Sequence, residues 1–348
     1  MRPKILVMLC AICMANVLFT SCAEGQSPRS TYFQSTEPGV QTGGVKMIAI
    51  ETPAGTFNVW TKRFGHNPRI KLLLLHGGPG ATHEYLECFE SFLPAEGIEF
   101  IYYNQLGSAY SDQPQDSSLW DIHRFVEEVE QVRKALGLDK NNFYLFGHSW
   151  GGWLAQQYAL KYQDNLKGLI LSNTMSSSPA YDRYAEEVLG KQLDPAVLQE
   201  IKEIEARGDF ENPRYMELLM PHFYNRFVCR LPMEQWPEPM MRAFNKLNHN
   251  VYVTMQGPSE FGIAGKLETW DVSKELHKIT VPTLLIAAKY DTMDPAHLKW
   301  MSEEVQNGSY LLCENGSHMA MYDDQQRYMS GLIKFLKAVD GGQKKVTL

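Results

Sequence analysis

The stretch NFYLFGHSWGGWLAQQYAL, residues 142–160, passes from an apolar run, through a serine set among glycines, into a run with apolar residues at helical spacing. The first part reads as a buried strand and the last as a helix. Gly147, Ser149, Gly151 and Gly152 therefore stand where one must become the other. A turn that sharp needs glycines, because a Cβ there would strike neighbouring backbone. It also lifts the serine oxygen clear of the sheet, which makes Ser149 a candidate nucleophile. A lone GxSxG is a common accident, and a mere turn serine is the plainer alternative, so the rest of the chain has to decide.

Working outward, VKMIAIET (45–52) and TFNVWTKRF (56–64) predict a hairpin around Pro53, Ala54 and Gly55. IKLLLLHGG (70–78), EFIYYNQLG (99–107), NFYLFGHS (142–149), LKGLILSN (166–173) and PTLLIAAKYD (282–291) are continuous apolar runs, as expected of strands buried on both faces. Periodic helical stretches such as DIHRFVEEVEQVRKAL (121–136) lie between them. That alternation predicts right-handed crossovers and a mostly parallel sheet. The rhythm stops at residues 175–278, where YAEEVLGKQL, PAVLQEIKEIEARG and RAFNKLNHNVYVTM look helical and no buried strand is evident. The expected organisation is a core of residues 44–174 and 279–348 and a helical cap of 175–278 over the carboxyl ends of the strands, where open α/β sheets bind ligands.

A serine nucleophile needs a base, and the base an orienting acid, which in this architecture follow in the order Ser, Asp or Glu, His. Asp291 ends one late strand and His318 follows the next. Asp294 competes for the acid, but it precedes Pro295 and a helical segment and is better explained as a helix cap. His76 and His148 lie beside glycine turns that they could brace. An oxyanion hole is expected from the backbone N–H of Trp150 and from the HGGPG loop at 76–80, with Gly78 as donor.

With these pieces in place the chain resembles the proline iminopeptidase family, serine aminopeptidases of α/β-hydrolase fold with a helical cap. The motifs LLLLHGGPG, YYNQLGSAYSD, GHSWGG, QGPSEFGIAGKLETWDV, KYDTMDP and GSHMAMYDD fall in family order, from about residue 45 to 339. The resemblance implies release of an N-terminal residue, preferentially proline, from short peptides or amino-acid amides, with no metal or organic cofactor. It also implies cap glutamates that bind the substrate amine, and Glu260 matches one such position. Two departures stand out. Thr292 occupies the place after Asp291 where some members carry a second glutamate, for which Asp294 or Glu217 could substitute, and Asn104 replaces a common aspartate. Phe223, Tyr224, Phe227, Trp236, Tyr252 and Phe261 are candidates for an apolar pocket, most of them better suited to the cap core. An amidase or small esterase would share the triad. A dehalogenase or epoxide hydrolase would carry aspartate at residue 149, and a binding lipoprotein would lack a triad member.

At 348 residues and 44% hydrophobic, the composition is that of a globular protein. Arg2 and Lys4 followed by an apolar run to about Phe19 predict an export signal, too short for a membrane span. The segment LFTSC resembles a bacterial lipobox, with Cys22 as the acylated residue, so residues 1–22 are expected to be the signal and 23–43 a flexible tether. The expected location is the periplasm or cell envelope, with the membrane engaged only by lipid. Cys88, Cys229 and Cys313 would then remain, an odd and widely spaced set that makes no disulfide framework or zinc site. The formal charge of -7, more negative still without Arg2 and Lys4, disfavours nucleic acid as a partner.

Overall fold

The computed structural model describes residues 42–348. The export segment, Cys22 and all but the end of the tether lie outside the described residues. The first strands form the expected hairpin: β1 (Val45–Thr52) and β2 (Gly55–Phe64) run antiparallel, with Thr52 opposite Gly55. After them come β3 (Lys71–Leu75), β4 (Glu99–Asn104), β5 (Phe143–His148), β6 (Gly168–Ser172), β7 (Thr283–Ala288) and β8 (Gly308–Cys313). The sheet order is β1-β2-β4-β3-β5-β6-β7-β8. β2 pairs antiparallel with β4, and the pairs beyond it are parallel.

The leucine run of β3 shows why these strands read as unbroken apolar segments. Leu72 and Leu74 face one hydrophobic cluster, Leu73 and Leu75 the other, and all four are fully buried. Both faces of the sheet are covered, so alternation has no purpose. The register then aligns the carboxyl ends: Leu75 lies opposite Gly147, and His148 opposite Ser172. Loops leaving β3, β5, β6 and β7 thus emerge along one rim.

Helices α1 (Ile122–Ala135) and α2 (Trp150–Tyr162) precede and follow β5. Asp121 caps α1 by accepting from the amides of His123 and Arg124. Between β6 and β7 lie α3 (Ser178–Tyr184), α4 (Pro195–Ala206), α5 (Pro213–Leu219), α6 (Glu238–Asn245) and α7 (His249–Met255). An isolated bridge from Ser177 to Asp271 is the only extended pairing there among the described residues. The chain then continues through α8 (Pro295–Glu304), α9 (Ala320–Asp323) and α10 (Gln325–Asp340).

The insertion departs from the sequence reading in one respect. Residues 242–255 are not one helix: the chain breaks between α6 and α7, where Asn248 caps α7 through the amides of Asn250 and Val251. Asn248 also donates from its amide to Gly80 O (2.9 Å) and from Nδ2 to Gly107 O (2.8 Å). The break therefore bonds the insertion to two core loops. A second feature left no trace in the apolar pattern. After α5 the helix widens into a π-helical segment, Met220–Val228, which begins with Pro221 near its start. Proline removes a helical donor and crowds the preceding turn, which displaces the ordinary bonding pattern.

Candidate active site

Ser149 sits between β5 and α2 at φ 57° and ψ -126°, a conformation that costs a residue with a side chain. The surroundings enforce it. Its N–H donates to Ser172 O (3.0 Å), and its carbonyl accepts from Gly152 N (2.8 Å) and Thr174 Oγ1 (3.0 Å). A Cβ on Gly147 would lie 2.1 Å from Gly151 O, and one on Gly151 would lie 2.2 Å from Leu75 O. A Cβ on Gly152 would also clash, lying 2.6 Å from the side chain of Thr174. The glycines are needed for close approach, as the opening stretch suggests.

His318 follows β8, and its Nδ1 lies 2.7 Å from Asp291 Oδ1. Asp291 is fully buried in the turn after β7. Its Oδ1 also accepts from Met293 N (3.1 Å) and Thr292 Oγ1 (3.3 Å), and its Oδ2 accepts from Asn173 Nδ2 (2.7 Å). A carboxylate can only accept, so the imidazole carries its proton on Nδ1 and presents Nε2 as a free base. Burial alone would lower the His318 pKa, but the Asp291 carboxylate, helped by Glu260, outweighs it and holds the group above the ordinary histidine value.

The backbone of His318 is held from two sides. Its N–H donates to Phe227 O in the π-helical segment (3.0 Å), and its carbonyl accepts from His148 Nε2 (2.9 Å). His148 is buried, and burial together with the nearby His318 keeps it well below the ordinary histidine value. Its Nδ1 accepts from Tyr85 Oη (3.1 Å), and that hydroxyl in turn accepts from Gly77 N (2.6 Å). One chain of hydrogen bonds thus runs from the HGGPG loop through the elbow to His318. His76 braces the same loop, with Nδ1 donating to Gly77 O (2.9 Å) and Nε2 accepting from Gln105 N (3.2 Å).

That loop lies over the serine: a Cβ on Gly77 would come 3.1 Å from Ser149 Cβ. The amides of Gly78 and Trp150 have no acceptor among the described residues. Trp150 opens α2, where helix N–H groups are left without internal partners. Gly78, Ser149, His318 and Glu260 line one cavity of about 300 Å³. Glu260 Oε1 accepts from Tyr252 Oη (2.7 Å), its N–H donates to Tyr224 Oη (3.2 Å), and its carbonyl accepts from Tyr181 Oη (2.5 Å). Burial raises the Glu260 pKa, opposed by His318 and Tyr252.

The structure therefore places Asp291 and His318 in direct contact and sets Ser149, Gly78 and Glu260 around the same space. Trp150 adjoins the serine. No hydrogen bond joins Ser149 to His318 among the described residues; such contacts commonly shorten once substrate is bound. Asp294 caps α8 through Ala296 N (2.9 Å). Glu217 is not at the site: its side chain is 63% exposed and pairs with Arg214. Of the six candidate aromatics, Tyr224 and Tyr252 line the cavity, whereas Phe223, Phe227, Trp236 and Phe261 do not. Asn104 is buried beneath His83, its Oδ1 accepting from His83 N (3.1 Å) and Nδ1 (2.9 Å).

Asn173 and Tyr85 escaped the sequence reading, and Thr292 figured in it only as a departure from the family pattern. Asn173 follows β6 at φ 48°, which asparagine tolerates better than most residues. Besides Asp291 it reaches Ser317 O (3.2 Å), just before His318. Thr292 is buried, with Oγ1 3.2 Å from His318 Nδ1. Tyr85 sits in the segment His83–Ser91 with no motif around it. The signal for Asn173 was its place at a strand end on the same rim as Ser149.

Comparison with known proteins agrees with this geometry. The profile of the alpha/beta hydrolase fold family matches residues 71–325. The chain is 60% identical to the proline iminopeptidase of Flavobacterium johnsoniae over 294 residues, covering 84% of this chain and 98% of that protein. It is 38% identical to the proline iminopeptidase of Saccharolobus solfataricus over 270 residues, 77% of this chain and 85% of that one. Among solved structures it resembles VinJ, with a TM-score of 0.78 at 29% identity, covering 84% of this chain and 99% of that one. It also resembles a proline iminopeptidase of Mycobacterium smegmatis, with a TM-score of 0.75 at 26% identity, over 85% and 99% of the two chains.

Proposed function

The chain belongs to the proline iminopeptidase family of the α/β-hydrolase fold, and from that premise we propose that it is a serine aminopeptidase releasing N-terminal proline from short peptides. The observation that carries the proposal is the Asp291–His318 pair opening onto one cavity with Ser149 and Glu260. In this reading His318 Nε2 takes the proton from Ser149, whose oxygen attacks the carbonyl after the first residue. The amides of Gly78 and Trp150 stabilise the oxyanion. His318 then protonates the departing amine, and water cleaves the acyl-enzyme. Asp291 keeps the imidazole in the needed tautomer and supports its positive charge. Glu260 receives the free amino terminus, which limits cleavage to the first residue. No step calls on a metal or organic cofactor.

The test is turnover of prolyl, alanyl and leucyl arylamides beside simple esters. The prolyl arylamide should lead, and Ser149→Ala should lower kcat by several orders of magnitude with the fold unchanged. A fluorophosphonate probe should label the parent protein and not the variant. Faster turnover of esters would assign the site to an esterase instead, and an intact rate in Ser149→Ala would remove the serine from its role.

The proposal extends to location. The apolar run after Arg2 and Lys4 and the LFTSC segment support export and lipid attachment at Cys22, in the cell envelope, with short peptides as the partners. Metabolic labelling with a fatty acid should mark the parent protein and not Cys22→Ser. Equal labelling, or none in either, would refute the anchor.

A further inference from the structure

The cavity over Ser149 has an inner and an outer end. Inside, Ser149 and His318 are almost fully buried, and the tyrosines that hold Glu260 are buried with them. At the mouth, Met216 is 38% exposed and Asn245 and His249 are exposed as well. Met220, Met241, Phe244 and Leu247 line the same cavity and are partly buried, intermediate in exposure between these two groups. Among the described residues neither lysine nor arginine lines the cavity, and Glu260 is the only carboxylate there.

These facts set a direction on the substrate, if the aminopeptidase reading above holds. An amine at Glu260 and an acyl carbon at Ser149 use the inner end. The remainder of the peptide has to leave by the outer one, across thioether, aromatic and leucine side chains. Thioethers adapt to irregular apolar shapes. A charged side chain placed there would lose water and meet no partner. We infer that the wall formed by Met220, Met241, Phe244 and Leu247 is a binding subsite for the residue after the scissile bond, and that it selects peptides whose second residue is large and apolar.

Four dipeptide amides with proline first and glycine, aspartate, leucine or phenylalanine second test this, since their leaving amines are chemically alike. The phenylalanine and leucine substrates should exceed the glycine one in kcat/KM by about 10- to 100-fold, the range that apolar pockets achieve. The aspartate substrate should fall below glycine. In Phe244→Ala and in Met241→Ala the phenylalanine-to-glycine ratio should collapse to about threefold or less. A ratio taken within one preparation cancels any loss of folded enzyme. Four equal rates in the parent protein, or a ratio untouched by both substitutions, would overturn the subsite and leave the aminopeptidase reading standing. Cleavage of none of the four would overturn both.

Discussion

Glu260 has two separable parts in the proposed mechanism: its carboxylate would receive the incoming amine, and it already acts on the His318 imidazole. Asp291 does most to raise the His318 pKa against burial, and Glu260 adds to it. Glu260→Gln keeps the shape and the bond from Tyr252 but removes the charge. The base must be neutral to work, so kcat/KM falls as pH drops through the His318 pKa. Removing a nearby negative charge lowers that pKa, and the acidic limb should move to lower pH. An N-blocked ester isolates this effect, having no amine to titrate. With a prolyl arylamide the same variant should raise KM by about tenfold or more, as expected for a lost charged contact, while KM for the ester changes little. An acidic limb that stays in place, or equal KM changes for both substrates, would contradict these assignments.

At the scale of elements, the site is an agreement between segments that share no sequence neighbourhood. Tyr85 shows this: it joins the loop after β3 to His148 on β5, which in turn holds the carbonyl of His318 beyond β8. Tyr85→Phe leaves the ring in place and cuts the chain at its hydroxyl. We expect kcat to fall by about tenfold through misplacement of the oxyanion loop and the base, with KM nearly constant. A change confined to KM, or none at all, would show that the link is only packing. The same distinction explains what could be read in advance. The strands were legible because burial on both faces leaves continuous apolar runs, and the gathering of Ser149, Asp291 and His318 at one rim because each follows the carboxyl end of a strand. The break at Asn248 was hidden, since the apolar spacing of α6 and α7 continues across it and only contacts with Gly80 and Gly107 reveal its purpose. Asn173 and Tyr85 were hidden for a similar reason, since each matters through hydrogen bonds to groups distant in the chain, while the adjacency of Thr292 to Asp291 disguised a contact with His318 as a missing glutamate.

Across the whole molecule, the position of the cavity wall depends on how the insertion is fastened to the sheet. Helix α6 carries Met241 and Phe244, and the same helix ends in a charged cluster with the core segment His83–Ser91. Glu84 is 1% exposed, with Oε1 2.5 Å from Lys246 Nζ and 3.3 Å from Arg242 Nη1, while Thr82 Oγ1 donates to Oε2 (2.8 Å). Arg242 also reaches Glu87 at 2.9 Å. The partners differ in what they risk. A cation released from the cluster can return to water, whereas the buried carboxylate cannot. Burial pushes the Glu84 pKa up, but Lys246 and Thr82 outweigh it and keep the group below the ordinary carboxylate range. Its contribution to stability is therefore complete above the unfolded pKa and declines as pH falls through the folded one. Lys246→Met should cost about 1–3 kcal/mol in urea unfolding at pH 7, since it takes away the nearest cation and leaves the buried carboxylate only Arg242 and hydroxyl partners, and Glu84→Gln should cost less. The loss in Lys246→Met should shrink toward acid pH, where protonation relieves the under-compensated charge. The double variant should be no worse than Lys246→Met alone. If Glu84→Gln proves the more damaging, or if the penalty of Lys246→Met is the same at pH 7 and at acid pH, the cluster holds the insertion by packing and not by charge.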